Sequence, residues 1–220
     1  MNFTTLSKLF IASLLMISTS FSVDKLFVGL NPGLISSKTE TEELKNSIKD
    51  KDDIQKHNLY GGIFAGYNHL VKGTPIFIGT EISAQMYDMN SSKERMLLLP
   101  YTNYSLSMKS KNSAAAVIKL GLVINDALIY GKAGLSYTYF MTKVVDRGAT
   151  AARETVSEKK SHRYAPVLGI GLDFRLNDNW IIGVDYTVAS YANFTVPSSS
   201  GNLNFSNTVE MKSLRLIYSF

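Results

Sequence analysis

The chain has 220 residues, a length that suits one domain, and its 23 basic and 18 acidic residues leave a formal net charge of +5. So mild a charge does not point to nucleic acid, and the absence of cysteine excludes disulfides and thiol chemistry. No phosphate loop and no metal-spaced cluster of His or carboxylates occurs, so neither a cofactor nor a metal is expected.

At the N-terminus, Lys8 precedes an apolar run from Leu9 to Ile17, and Ser18, Thr19, Ser20, Phe21 and Ser22 follow. This is the layout of a signal peptide, and the small residues Ser20 and Ser22 place cleavage between Ser22 and Val23. Residues 1–22 are therefore expected to be removed, leaving 23–220 as one exported domain. The run is far shorter than the roughly 20 residues that a spanning helix needs, and no later run approaches that length.

Past the leader the hydrophobic period is two. Ile76, Ile78, Thr80, Ile82, Ala84 and Met86 alternate with Phe77, Gly79, Glu81, Ser83, Gln85 and Tyr87. Tyr164 to Arg175 and Trp180 to Ala189 repeat the pattern. Successive side chains of a strand face opposite ways, so one face reads as lipid-facing and the other as a polar or small-residue interior. Eight strands are predicted, near 25–35, 58–69, 75–87, 113–124, 128–140, 163–175, 180–191 and 208–220. The connections alternate between long and short, at roughly 22, 5, 25, 3, 22, 4 and 16 residues. The short ones carry turn chemistry in Val71-Lys72-Gly73, Asn125-Asp126 and Asn177-Asp178-Asn179. The expected fold is all-β, an eight-stranded antiparallel transmembrane β-barrel with four long extracellular loops and three short periplasmic turns, in a bacterial outer membrane. Residues 88–112 fit least well: Met96 to Leu99 with Pro100, Tyr101 and Tyr104 are too apolar for a free loop, and either extend the flanking strands or pack on the rim.

With strands and faces assigned, the chain resembles the OmpA-type eight-stranded outer-membrane barrels, which include small surface antigens and adhesins. The resemblance rests on Tyr60 to Tyr67, on Lys119-Leu120-Gly121 through Ile129 to Gly134, and on Gly171 to Phe174 with Asp178-Asn179-Trp180. It also rests on the last residues, Leu214 to Phe220. It implies that Tyr218 and Phe220 form the terminal-strand signal read by the barrel insertion machinery; by parity both also face lipid as part of an aromatic girdle. The chain departs from the larger members of that family, which add a periplasmic peptidoglycan-binding domain: it is expected to be barrel and loops, with no cell-wall tether.

Inward parity selects Glu81, Lys119, Lys132, Asp173, Arg175, Asp185 and Arg215, which should pair because a lone buried charge is heavily penalised. The resemblance implies an interior ion network at Glu81, Lys119, Lys132 and Asp173. The arginine usual on the seventh strand is replaced by Gly183, while Arg215 stands on the eighth. Arg215 is therefore expected to reach Glu81 and Asp173 from the same depth, and moving the arginine back to position 183 is expected to restore a lost pairing. Eight strands leave room only for side chains, so a plugged lumen is expected. A small gated pore is the alternative, and a lipid-modifying enzyme a further one, although Ser161 and His162 are adjacent and point to opposite faces. A lipocalin-like soluble carrier would face its apolar residues inward. Without catalytic residues, function falls to the loops, where the resemblance implies adhesion or surface antigenicity. Lys143, Arg147, Arg153, Lys159, Lys160 and Arg163 outnumber Asp146, Glu154 and Glu158 in residues 142–163 and could meet lipopolysaccharide phosphates or sulfated glycans. Expected partners are outer-membrane lipid and lipopolysaccharide, the insertion machinery and a host surface ligand. A monomer is expected.

Overall fold

Nine strands form a single ring in the computed structural model, which describes residues 24–45, 48–96, 103–147, 154–198 and 201–220, and the side chains of 24–38, 57–89, 109–141, 160–191 and 206–220. The expected cleavage site lies outside these residues. The strands are β1 (Lys25–Leu30), β2 (Gly33–Lys45), β3 (Ile48–Leu70), β4 (Ile76–Met96), β5 (Asn103–Ile124), β6 (Ala127–Arg147), β7 (Glu154–Arg175), β8 (Trp180–Ser198) and β9 (Gly201–Ser219). Both β1 and β2 lie between β3 and β9, so they are two pieces of one stave and the barrel has eight. Pro32 makes the break, since it has no N–H to give to a neighbour. Leu214 N donates to Pro32 O and Asn31 N to Gly62 O, which holds the wall together there. Every pairing is antiparallel, and β1 against β9 closes the ring, Val28 opposite Tyr218.

The three short turns stand where the sequence puts them. Gly73 and Asn125 adopt the left-handed conformation that Gly and Asn tolerate best. In the third turn Asn177 Oδ1 accepts from the backbone N–H groups of Asn179 and Trp180.

The long connections are a correction. Residues expected as loops are paired strand: β2 and β3 stay in register to Lys45↔Ile48, β4 and β5 to Met96↔Asn103, β6 and β7 to Arg147↔Glu154, and β8 and β9 to Ser198↔Gly201. The apolar segment around Met96 and Tyr104 therefore extends its flanking strands, with 97–102 outside the described residues. Pairing of β3 with β4 stops at Tyr60↔Tyr87, and of β7 with β8 at Val167↔Ala189. Above that level the described staves separate into two four-stranded sheets, β3-β2-β9-β8 and β4-β5-β6-β7. Register shifts near the same height, at Met86/Met89 of β4, Ser110/Ser113 of β5 and Tyr191/Phe194 of β8, bend the strands where the sheets part.

The outer wall is apolar and exposed, as at Leu26, Ile63, Ile82, Ile118, Leu168 and Leu214, which suits lipid. The interior is less polar than alternation suggested. One apolar layer, including Tyr60, Tyr87, Met89, Phe140, Tyr191 and Met211, fills the half nearer the long hairpins. A second, of Phe77, Val123 and Leu128 with Phe27, Ile181 and Ile217, fills the short-turn end.

Bulky inward side chains fit because the residue opposite them on the next strand is glycine. Phe27 lies over Gly66, Phe64 over Gly29, Phe77 over Gly121 and Tyr130 over Gly171, each a register pair. A Cβ on Gly171 would come 2.3 Å from Tyr130 Cζ, whereas a Cβ on outward-facing Gly61 meets nothing within 4 Å. Gly171→Ala should therefore destabilise the barrel by about 1–3 kcal/mol in urea unfolding, and Gly61→Ala should be close to neutral. Equal effects would show that the glycines are not making room for the rings.

Candidate functional site

Between the two apolar layers lie Glu81, Lys119, Lys132, Asp173, Asp185 and Arg215, one from each of β4 to β9. Their side chains are at most 8% exposed. Three acids face three bases. Arg215 reaches all three acids, Nη2 to Glu81 Oε2 at 2.7 Å, Nε to Asp173 Oδ1 at 3.3 Å and Nη1 to Asp185 Oδ2 at 3.9 Å. Lys119 Nζ lies 3.3 Å from Glu81 and Lys132 Nζ 2.8 Å from Asp185. Lys119 and Lys132 are opposite each other in register, a like-charge pair made tolerable because each is drawn to a different carboxylate.

Arg175 is a correction: it does not join this cluster. It shares the inward parity but stands at the short-turn end, where Nη2 is 3.4 Å from Asp126 in the β5–β6 turn and its backbone N–H donates to Asp126 O. Parity fixes a side chain's face and not its height. The four bases expected inside are thus three, and the cluster is neutral.

Other members escaped the sequence. Tyr130 donates toward Asp173 (3.3 Å) and Asp185 (3.4 Å), and Thr187 donates to Asp185 at 2.7 Å. Lys119 Nζ sits 4.3 Å from the centre of the Phe27 ring, and the Arg215 guanidinium 4.0 Å from that of Phe64, so ring faces take up charge where carboxylates leave off. Inward parity would have flagged all three aromatics.

Gly183 is the register partner of both Asp173 and Arg215, so the two charges meet across a position without a side chain. This explains the glycine and confirms that positions 183 and 215 share a depth. It contradicts the expected rescue, because a Cβ at 183 would lie 2.1 Å from Asp173 Oδ1 and 2.7 Å from Leu172 O.

The other predicted sites are dispersed. Tyr218 and Phe220 pack edge to face at 5.2 Å beside Trp180, and Phe220 N donates to Leu26 O. Of the basic residues, Lys160 is exposed, Arg163 has the opposite parity and is half-buried, and Arg153 lies outside the described residues. Lys143 stands opposite Glu158 and Arg147 opposite Glu154 in the β6–β7 register, while Lys159 faces Thr142, so these positions do not form one uniformly basic face. His162 stacks on Tyr137 on the outer wall, and His69 pairs with Asp24 at 2.8 Å. Ser36 and His57, register partners, share a hydrogen bond that the sequence did not disclose. Among the described residues, no carboxylate is placed to orient that imidazole and no group of His, Cys, Asp and Glu could hold a metal.

The family described as outer membrane protein beta-barrel domain matches residues 10–210. The chain belongs to that family. It is accordingly a bacterial outer-membrane β-barrel protein. No curated protein matches it. Among solved structures, OprG from Pseudomonas aeruginosa is similar at 15% identity and a TM-score of 0.50, covering 89% of this chain and 96% of that one. OmpT protease from Escherichia coli matches at 12% identity and 0.45, covering 93% and 99%. Ail from Yersinia pestis, in complex with the heparin analogue sucrose octasulfate, matches at 11% and 0.37, covering 87% and 99%. At 15% identity the likeness to OprG speaks to fold alone.

Removing Arg215 should leave Glu81 and Asp173 without their shared cation, so Arg215→Gly should cost on the order of 3 kcal/mol in urea unfolding. Adding Gly183→Arg to that variant should recover none of the loss, because the new side chain must displace Asp173. A double variant restored to near wild-type stability would show that the lumen has slack that these contacts do not reveal.

Proposed function

We propose that the protein is a closed, non-enzymatic barrel that serves recognition at the cell surface through the two sheets built by its long hairpins. The observation that carries this is the neutral six-charge layer between two apolar layers, a filling that leaves the interior no evident task beyond holding the staves together. We read it as a plug, with a small gated pore as the outcome that would replace it. Among the described residues no carboxylate joins the Ser36–His57 pair as a third member, which favours a non-enzyme over a lipid-modifying one.

The long hairpins face outward and the short turns the periplasm, following the usual order of such barrels. Adhesion or surface antigenicity is then the role of the hairpins, with a host ligand or lipopolysaccharide as partner. Lys159 and Lys160 are adjacent on β7 and so present a base on each of its faces, which makes them the bases to meet anionic glycans. Tyr218 and Phe220 serve the insertion machinery, and the working unit is a monomer.

Cysteines introduced at Lys49, Ser92, Lys159 and Ser199 should react with an impermeant reagent on intact cells, while those at Lys72, Asp126 and Asp178 should not. The reverse pattern would invert the barrel. Purified protein in planar bilayers should pass no stepwise current; discrete openings would favour the pore. Lys159→Glu with Lys160→Glu should weaken binding to an anionic polysaccharide, and the wild-type binding should fall with added salt. Binding untouched by both would remove electrostatics from the role.

A further inference from the structure

Above the short turns, the outward positions of the other staves carry no Lys, Arg, Asp or Glu for about ten residues, the height of the hydrocarbon band. On β9 the sequence breaks that rule at Lys212, eight residues before Phe220, an exposed outward residue. At the usual strand rise and tilt, the backbone there is roughly 20 Å above the terminal aromatic girdle, just inside the far edge of a band about 25 Å tall. A lysine stem can carry its ammonium the rest of the way to the headgroups.

Protein partners for that ammonium are lacking among the described residues: Lys212 makes no ion pair or hydrogen bond with any of them. Its cross-strand neighbours are Tyr186 and Leu34. The carboxylate next above it, Glu210, lies beside the Tyr186 hydroxyl and interacts with it. Lys212 stands near the upper end of a trough of about 960 Å³ in the outer wall. Leu34, Leu214, Val184, Ile170 and Ile129 line it, and Gly131 leaves a gap in its floor. A Cβ at Gly131 would find its nearest neighbour at 3.9 Å, so the depression comes from the missing side chain and not from crowding below.

We propose that Lys212 and this trough form a binding site for a phosphate-bearing lipid, the ammonium holding the phosphate and the trough an acyl chain. A cation at headgroup depth on a lipid-facing wall is complementary to the anion that the surrounding lipid itself supplies. The apolar trough extends from Lys212 across the row Tyr186, Ile170 and Gly131 on the neighbouring staves. A soluble protein partner would have to displace lipid to reach Lys212. The site requires only that the barrel sits in a membrane, so it stands or falls independently of the surface role proposed above.

The test is native mass spectrometry of the folded barrel released from phosphatidylcholine vesicles doped with phosphatidylglycerol. Wild type and Lys212→Arg should retain one phosphatidylglycerol in preference to phosphatidylcholine. Lys212→Met should lower that preference about fivefold, the worth of one cation near a membrane surface. Gly131→Leu, which keeps every charge and fills the trough, should lower retention as well. Lys72→Met, at a short turn, should change nothing, and soluble glycerol phosphate should not compete. All variants must still show the compact, heat-modifiable form. Equal retention by wild type and Lys212→Met, equal retention of both lipids, loss with Lys72→Met, or competition by glycerol phosphate would each overturn the site.

Discussion

The width of an eight-stave barrel is the constraint on which the rest depends. It admits side chains and little else, so each large inward group must find a small one beside it. Phe27 over Gly66 and Phe64 over Gly29 show this reciprocally on a single strand pair. Lys132 over Gly169 and Asp173 over Gly183 apply it to charged groups. Such pairs also lock register. A slip of one residue would turn each ring toward lipid and bring its glycine partner out of line, so the filling of the lumen specifies the pairing of the wall.

Charge is fitted to the same space. Three acids and three bases on six consecutive staves cancel, and Arg215 reaches all three carboxylates, Asp173 across the way that Gly183 leaves open. Buried ions of this kind give little net stability over a well-packed apolar filling. Their value here lies in cross-linking: contacts such as Arg215 to Glu81 join β9 to β4, strands that are not neighbours in the wall. Hydrogen bonds of the sheet tie each stave only to the next, whereas the ion layer ties distant staves directly.

Much of this was legible in the sequence, and the misses have physical reasons. Alternation identified the eight staves because lipid on one side and a filled lumen on the other impose opposite demands on neighbouring residues. Beyond the hydrocarbon both faces of a hairpin meet water, so the alternation disappears while backbone pairing continues, and residues such as Lys49, Lys93 and Lys159 read as loop although they lie in strands. Parity placed the six clustered ions on the inner face, but it carries no height, which is why Arg175 was grouped with charges it does not meet. Tyr130, Gly183 and the Ser36–His57 pair depend on which residue lies opposite which, and that information belongs to two strands at once.

The two ends of the barrel are built to different rules. At the short turns every stave is tied to both neighbours, and Trp180, Tyr218 and Phe220 gather where β8, β9 and the start of β1 meet. At the other end the ring parts on opposite sides, between β3 and β4 and between β7 and β8. Pro166 lies next to the second parting, and a residue without an N–H cannot help extend pairing there. Apolar packing of Tyr87, Met89, Phe140 and Tyr191 continues across the barrel at about the height where the wall begins to separate, so the core supports each sheet from within as it leaves the ring. The closed lower barrel thereby fixes where two independent sheets emerge, and sequence change in either sheet is insulated from the staves that hold the protein in the membrane.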